Sequence, residues 1–555
     1  MRNAGMTRGT WATLRLISGI GAAVIAGIGL AANRDHVWLV CAALCVPLVG
    51  LALWRGSGPG QSVFGRQTAR LAHIVLTLFV ILSLHLVHLQ VVSADMIQTR
   101  TAVTDDGVVR NPRRLQANLT ALRGEVFTAD GTKIVGRTVA PDGTVGRTYL
   151  DPNLTYLVGY HNPVRFGDSG IELAYDDQLS GRQDEDPAKA FAASLLHQPA
   201  RGSDLLLTVA GPVQAAATAA LGNRRGSVVV LDAKTGAVVA MVSTPHIDPA
   251  RLAPGQPDQS QAYWDQLRGD PASPFVFRPT QGLYTPGSTF KTVTASAALD
   301  TGKARPDTRY EDRGALNVEG YQLIEANIPK GRENQQSWTL TEGYEYSLNV
   351  VFAQVATRTL GGASLADYAG RFGFGTAVPF DLPTNASLLD SGPDFLNNAP
   401  AVAQTGFGQG QLLASPLQMA MIAATVANDG REMTPYLVSA VRRPDGGIAT
   451  RTAPKVWRTP IRAETAAQMR TIMETSVASG YANTAAIPGV KSGGKTGTAE
   501  VTGAAPHAWY IGYAPGKNTT YAIAVLVENG GEGSTVAAPI AKTVLQATLA
   551  YDTKR

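Results

Sequence analysis

Three apolar stretches, roughly residues 14–32, 37–54 and 71–92, open the chain and constrain it more than any other feature. Each approaches the ~20 residues that a helix needs to cross hydrocarbon, where every backbone polar group must be satisfied within the segment. No comparable run follows Val92. The apolar cores are too long for a cleaved leader and further spans follow the first, so retained membrane helices are expected. Arg2, Arg8 and Arg15 flank the first span and Arg55, Arg66 and Arg70 lie between the second and third, whereas the first connecting loop has only Arg34 beside Asp35. Positive side chains collect on the cytoplasmic side. The N-terminus is therefore expected inside, and everything after about Ser93 on the outer face of the cell membrane. His85 and His88 stand at i, i+3 in the third span. Ionisable groups there are functional candidates, but both lie near the outer end with no third ligand in reach, so an interface or helix-packing role is expected.

The remainder reads as water-soluble. A chain that is 45% hydrophobic and 16% charged fits a soluble unit averaged with membrane spans. A net charge of +5 over 555 residues is modest, and no Lys/Arg block carries interleaved aromatics, so no nucleic-acid partner is expected. Cys41 and Cys45 both fall in the second apolar run, leaving the rest of the chain without a thiol for a disulfide, a nucleophile or a metal ligand.

Residues 93–116 are polar and irregular in pattern. From Arg123 to Ile134 the chain alternates around Asp130-Gly131 like a hairpin, which predicts the start of a small β-rich module. A Pro/Gly/Ser-containing stretch at 198–203 is a plausible boundary. Three segments result: a membrane anchor, 1–92; a juxtamembrane linker with the β-rich module, 93–203; and a unit of 204–555. In the last, residues 212–221 are Ala-rich and helix-like, and 226–242 read as two strands around a turn. Two more strands are predicted at 507–514 and 520–527, before an Ala-rich helix over 537–550. Strands come from both ends of this unit, as in a mixed α/β domain.

Thr285-Pro286-Gly287-Ser288-Thr289-Phe290-Lys291 is the most informative string. Pro286 and Gly287 form a turn, Ser288 falls at a helix start, and Lys291 projects one turn later from the same face. A serine hydroxyl is a poor nucleophile until a base removes its proton, and a lysine whose charge is disfavoured by burial can be that base. Serine-x-x-lysine alone occurs often by chance and reads more readily as a helix cap followed by an exposed lysine. Two later strings change this: Ser347-Leu348-Asn349, opening a helical run, and Lys495-Thr496-Gly497-Thr498, on a strand. Their order is that of the serine penicillin-recognising enzymes, and from about Asp204 onward the chain resembles the penicillin-binding proteins. Phe407-Gly408-Gln409-Gly410 and Ser415-Pro416-Leu417-Gln418 match the usual intervening segment. Lys234-Thr235-Gly236 carries the same letters as the third motif but precedes the serine, between two apolar runs, and reads as a turn.

The resemblance implies a transpeptidase fold with a five-stranded antiparallel sheet flanked by helices, and a role for each matched residue. Ser288 would attack the carbonyl between two terminal D-alanines of a peptidoglycan stem peptide, with Lys291 as base. Ser347 would relay a proton to the leaving amine and Asn349 would orient the donor amide. Lys495 would supply positive charge near the donor carboxylate, Thr496 and Thr498 would bind it, and Gly497 would let the substrate approach the strand closely. The backbone amides of Ser288 and Thr498 would form the oxyanion hole. β-Lactams would acylate the same serine, and no metal or organic cofactor is implied. Arg123-Gly124-Glu125, Asp130-Gly131 and Gly167-x-x-Gly170-x-Glu172 resemble the short module of class B, monofunctional members. About 110 residues between anchor and catalytic unit leave no room for a separate glycosyltransferase fold. The class implies a membrane glycan polymerase of the shape, elongation, division and sporulation kind as partner. Three spans depart from the usual single anchor, and small residues such as Ser18-Gly19-Ile20-Gly21-Ala22-Ala23 would permit close helix packing. A D,D-carboxypeptidase, a β-lactamase, or a non-catalytic penicillin-binding scaffold or sensor would share the motifs. The anchor and the extra module favour transpeptidation, and the sensor's His-Glu-x-x-His string is absent.

Overall fold

The computed structural model describes residues 8–32, 35–54, 62–89, 93, 102–104, 107–109, 119–182, 200–254, 257–389, 392 and 394–554. Arg2, Arg34 and Arg55, on which the orientation partly rests, lie outside these residues, as do positions 90–92 and 198–199. The chain forms two compact units, residues 1–117 and 118–555.

The first unit holds three helices long and apolar enough to cross a membrane: α1 (Arg8–Ala31), α2 (Asp35–Leu53) and α3 (Val63–Val87). Ala22 and Ala26 of α1 are buried together with Cys45 and Val49 of α2, so small side chains set the approach of these helices. The third helix begins at Val63 rather than near Leu71. Ser62 caps it, its side chain accepting from the Gly65 N–H at 3.1 Å, and Arg66 and Arg70 belong to its first turns rather than to a loop. An apolar-run criterion misses such a polar start. The Trp38 Nε1–H donates to His85 Nδ1 at 3.0 Å, and the Trp38 ring stacks on His88 with centroids 4.5 Å apart. Both histidines thus pack against α2. Within the stretch expected to be irregular, Ala102–Thr104 pairs antiparallel with Gly107–Val109.

The second unit is organised around two sheets. The first takes β1 (Val126–Phe127), β2 (Lys133–Val139), β3 (Val145–Tyr149) and β4 (Asp204–Leu207) and adds the later strands Val438–Arg442 and Ile448–Arg451. β4 lies between β1, to which it is parallel, and Val438–Arg442, so segments on both sides of position 203 share one sheet. Beside it the module's two sequence signatures meet. Arg123 donates from Nη2 to Glu172 at 2.7 Å and from Nη1 to Asp176 at 2.5 Å, and Arg147 Nε donates to Glu172 at 2.7 Å. Burial opposes ionisation of Glu172, yet Arg147 and Arg123 outweigh it and lower the carboxyl to about 2.

The second sheet is wholly antiparallel and comprises β5 (Gly226–Asp232), β6 (Val238–Thr244), β7 (Gly493–Val501), β8 (Ala504–Pro515) and β9 (Thr520–Val527), ordered β6-β5-β9-β8-β7. Side chains alternate between its faces. Val228, Val230, Ile523 and Val525 join Val213 and Leu221 of α4 (Gly211–Leu221) on one side. Val229, Leu231, Ala522 and Ala524 join the larger core on the other. That core includes α5 (Lys291–Asp300), α6 (Asn349–Gln354), α7 (Pro416–Ala427) and α8 (Ala463–Ala478). The terminal helix, α9 (Ala537–Lys554), covers the α4 side. Two buried faces explain why β5 and β9 read as unbroken apolar runs rather than as alternating ones. β7, at the sheet edge, carries the third motif.

Candidate active site

Ser288 sits in a single 3-10 turn, Gly287–Phe290, that runs directly into α5. The turn is pinned from several sides. The Thr289 hydroxyl donates to the Pro286 carbonyl at 2.7 Å, and the Trp509 indole N–H donates to the Thr285 carbonyl at 3.0 Å. A Cβ at Gly497 would lie 2.9 Å from the Pro286 oxygen and 3.0 Å from Thr289 Cγ2, so glycine here lets β7 press against the serine turn. Gly408, at φ 91°, approaches from behind, where a Cβ would fall 1.8 Å from the Gly287 carbonyl oxygen. The Phe407–Gly410 segment therefore abuts the Ser288 turn, a contact that its sequence alone does not explain.

α5 is buried along almost its whole length, and Lys291 begins it with no solvent exposure. Its Nζ donates to the Ser347 carbonyl at 2.6 Å, to Ser347 Oγ at 3.2 Å and to Asn349 Oδ1 at 2.8 Å. Three acceptors match the three donors of an ammonium. Ser347 has φ 59°, the left-handed region that a non-glycine residue enters only under constraint. Asn349, not Ser347, opens α6, so the second motif is a strained turn leading into a helix. Burial disfavours the Lys291 charge, Glu325 partly restores it, and the amine is lowered to about 7.

Lys495 is also fully buried; its Nζ donates to the Thr496 carbonyl at 3.0 Å and lies 5.6 Å from the centre of the Tyr344 ring. Burial, then the Lys291 charge, holds its pKa well below the ordinary lysine value. The Thr498 hydroxyl accepts from the Gly533 N–H at 3.3 Å.

A cleft of ≈ 890 Å³ opens over this cluster. Ser288, Ser347, Asn349, Thr496 and Thr498 line it, while Lys291 and Lys495 lie buried behind its wall and Gly497 packs on the serine turn. All eight residues singled out from the sequence thus gather around one cleft. The look-alike Lys234-Thr235-Gly236 forms the β5–β6 turn, with Gly236 at φ 81° and the Lys234 N–H donating to Asp232 at 2.9 Å. Sequence reasoning missed Glu325 and Asn327, which stand in a loop without motif or period, and also Glu500. The last was readable, because Thr496, Thr498 and Glu500 alternate along β7, and all three line the cleft.

A serine on a rigid turn, a buried amine brought toward neutrality and an open polar cleft define a serine acyl-transferring enzyme of the penicillin-recognising kind. Comparison with known proteins agrees. Residues 226–546 match the penicillin binding protein transpeptidase domain. The chain is 33% identical to the peptidoglycan D,D-transpeptidase PbpA of Mycolicibacterium smegmatis, over 86% of this chain and 98% of that one. Penicillin-binding protein A of M. tuberculosis, solved as a ceftriaxone acyl-enzyme complex, superposes with a TM-score of 0.72 at 31% identity, covering 78% of this chain and 100% of that chain. Pseudomonas aeruginosa PBP2 in complex with WCK 5153 gives 0.66 at 29% identity, covering 78% and 96%. The chain belongs to the penicillin-binding protein transpeptidase family, among its class B members, and its three apolar helices make it a membrane-anchored one.

Proposed function

We propose that this protein cross-links peptidoglycan as a serine-type D-Ala-D-Ala transpeptidase and that Ser288 carries the acyl group. The observation that carries the reading is the buried amine of Lys291, the residue that follows the Ser288 turn, hydrogen-bonded to Ser347 and Asn349. Neutral Lys291 takes the Ser288 proton as Oγ bonds to the carbonyl carbon between the terminal D-alanines. The backbone amides of Ser288 and Thr498 receive the developing oxyanion. The C–N bond breaks, the departing D-alanine takes its proton through Ser347, and an ester remains on Ser288. An acceptor amine from a second stem peptide then attacks that ester, forming the cross-link and returning a proton to Ser288. Asn349, whose Oδ1 engages Lys291, uses its amide nitrogen to orient the donor. Lys495 contributes charge beneath the donor carboxylate, and the hydroxyls of Thr496 and Thr498 bind it. Gly497 lets the strand and the serine turn stay in contact beneath the substrate. A β-lactam acylates the same oxygen and leaves an ester that the acceptor cannot clear.

In this reading residues 1–92 anchor the chain, 93–203 form the linker and spacer module and 204–555 the transpeptidase unit. Positive residues flanking the spans support a cytoplasmic N-terminus and an external catalytic unit; a reporter fused after Ser93 that reads cytoplasmic would overturn this. The class B assignment supports a membrane glycan polymerase of the shape, elongation, division and sporulation kind as partner, tested by co-purification from membranes. The activity itself is tested with a fluorescent penicillin and intact-mass analysis, beside Ser288→Ala. Slow, stable labelling lost in Ser288→Ala is expected. Labelling that clears within seconds would instead indicate a β-lactamase, and none on folded protein a non-catalytic scaffold.

A further inference from the structure

The groups that hold Lys291 lead to a carboxylate outside the three motifs. Glu325 follows the strand Tyr321–Ile324 and is 8% exposed. Its Oε2 accepts from the Val350 N–H at 2.8 Å, immediately after Asn349, and its Oε1 from the Asn327 N–H at 3.0 Å. Asn327 in turn donates from Nδ2 to the Ser347 carbonyl at 3.0 Å. That is the same oxygen that accepts from Lys291 Nζ. The Asn327 carbonyl accepts from the Tyr481 hydroxyl at 2.9 Å. One buried carboxylate therefore braces both ends of the Ser347–Asn349 turn, directly at Val350 and through Asn327 at Ser347. The brace has a physical task, because Ser347 is held at φ 59° and such a conformation persists only where its surroundings determine it.

We propose that Glu325 is a positioning residue for acylation: it fixes the backbone on which Ser347 and Asn349 meet Lys291, and it supplies the anion that faces this lysine inside the cleft wall. The role rests on Lys291 acting as base to Ser288. The charges around it are Lys291 itself, Lys495 across the same buried cluster, Asp312 beside Glu325, and the Tyr481 phenol. Burial raises the Glu325 carboxyl above its ordinary value and Lys291 offsets only part of that rise, while Glu325 favours the charged lysine. Removing the anion should therefore move the lysine's titration to lower pH.

The two contributions separate by substitution. Glu325→Gln keeps the volume but removes the charge, and offers one carbonyl oxygen where two N–H donors now find carboxylate oxygens. Glu325→Asp keeps the charge on a shorter stem, and Asn327→Ala keeps Glu325 but cuts its link to Ser347. The second-order rate of acylation by a fluorescent penicillin is measured against pH for the full-length wild type and each variant, with circular dichroism confirming the fold. For Glu325→Gln we expect the acid limb to shift downward and the plateau to fall about tenfold, in keeping with the cost of small misplacements. For Glu325→Asp the limb should stay near that of the wild type, and for Asn327→Ala the plateau should fall with the limb unmoved. A lower plateau in Glu325→Gln with its limb in place would reduce Glu325 to a structural brace and overturn the proposal, as would a wild-type profile. If Glu325→Gln does not fold, an unchanged plateau in Asn327→Ala overturns it. Wild-type labelling that did not depend on Ser288 would remove the nucleophile reading instead, so the two failures are distinguishable.

Discussion

Lowering the pH through the titration of Lys291 should switch acylation off at a pH where most lysines are still fully charged. The amine is lowered from 10.5 to about 7 by burial, against the opposing pull of Glu325. If the neutral form is the base, its population at pH 7 is roughly a thousandfold larger than that of an ordinary lysine, since each unit of pKa is a factor of ten. Between pH 8 and pH 5.5 the neutral fraction falls from about nine-tenths to about three-hundredths, so the rate should drop about thirtyfold and approach tenfold per unit at its acid end. The second-order rate constant for acylation is the right quantity, because it reports ionisations of the free enzyme. Stopped-flow labelling of the purified full chain in detergent would supply it. Lys291→Arg makes the complementary test: a guanidinium cannot lose its proton near neutral pH, so acylation should fall by at least about a thousandfold on a folded protein. A flat profile between pH 5.5 and 8, a rate still rising tenfold per unit at pH 8.5, or a competent Lys291→Arg would each refute Lys291 as the base.

Two further outcomes follow from other parts of the molecule. Glu172→Gln leaves the buried Arg123 and Arg147 short of their anion and should destabilise residues 118–555 by roughly 3–5 kcal/mol, read as a lower Tm in differential scanning fluorimetry. Because the folded pKa of Glu172 is depressed from 4.5 to about 2, its contribution is complete above about 4.5 and is lost as the pH falls toward 2; the gap in Tm between wild type and variant should close over that window, and a gap that widened would contradict the sign. Lys234→Ala should leave penicillin labelling unchanged while Lys495→Ala abolishes most of it, and the reverse would mean that the wrong Lys-Thr-Gly string had been assigned to the cleft.

The contrast between those two strings indicates what a sequence carries about a site of this kind and what it does not. Lys234 and Lys495 are each followed by Thr-Gly, so those three letters cannot separate them; order along the chain and flanking pattern do, because a turn between two apolar runs and a strand at a sheet edge impose different surroundings. Strand and helix positions were legible for the same reason: alternation and Ala-rich runs report burial by neighbours in sequence. The first turns of the third membrane helix, polar and capped by Ser62, carry no such apolar signal. Contacts between distant segments left no such trace. That Gly497 is small because the Pro286–Thr289 turn lies against it, and Gly408 because Gly287 does, depends on packing between residues far apart in the chain. Glu325 is the extreme case, since a single glutamate in a loop reads as solvated, and its two N–H donors at Asn327 and Val350 become neighbours only once the hairpin before it has folded onto α6. Motifs therefore point to the groups proposed to react, whereas the groups proposed to set their charge and geometry are found by following hydrogen bonds outward from Lys291.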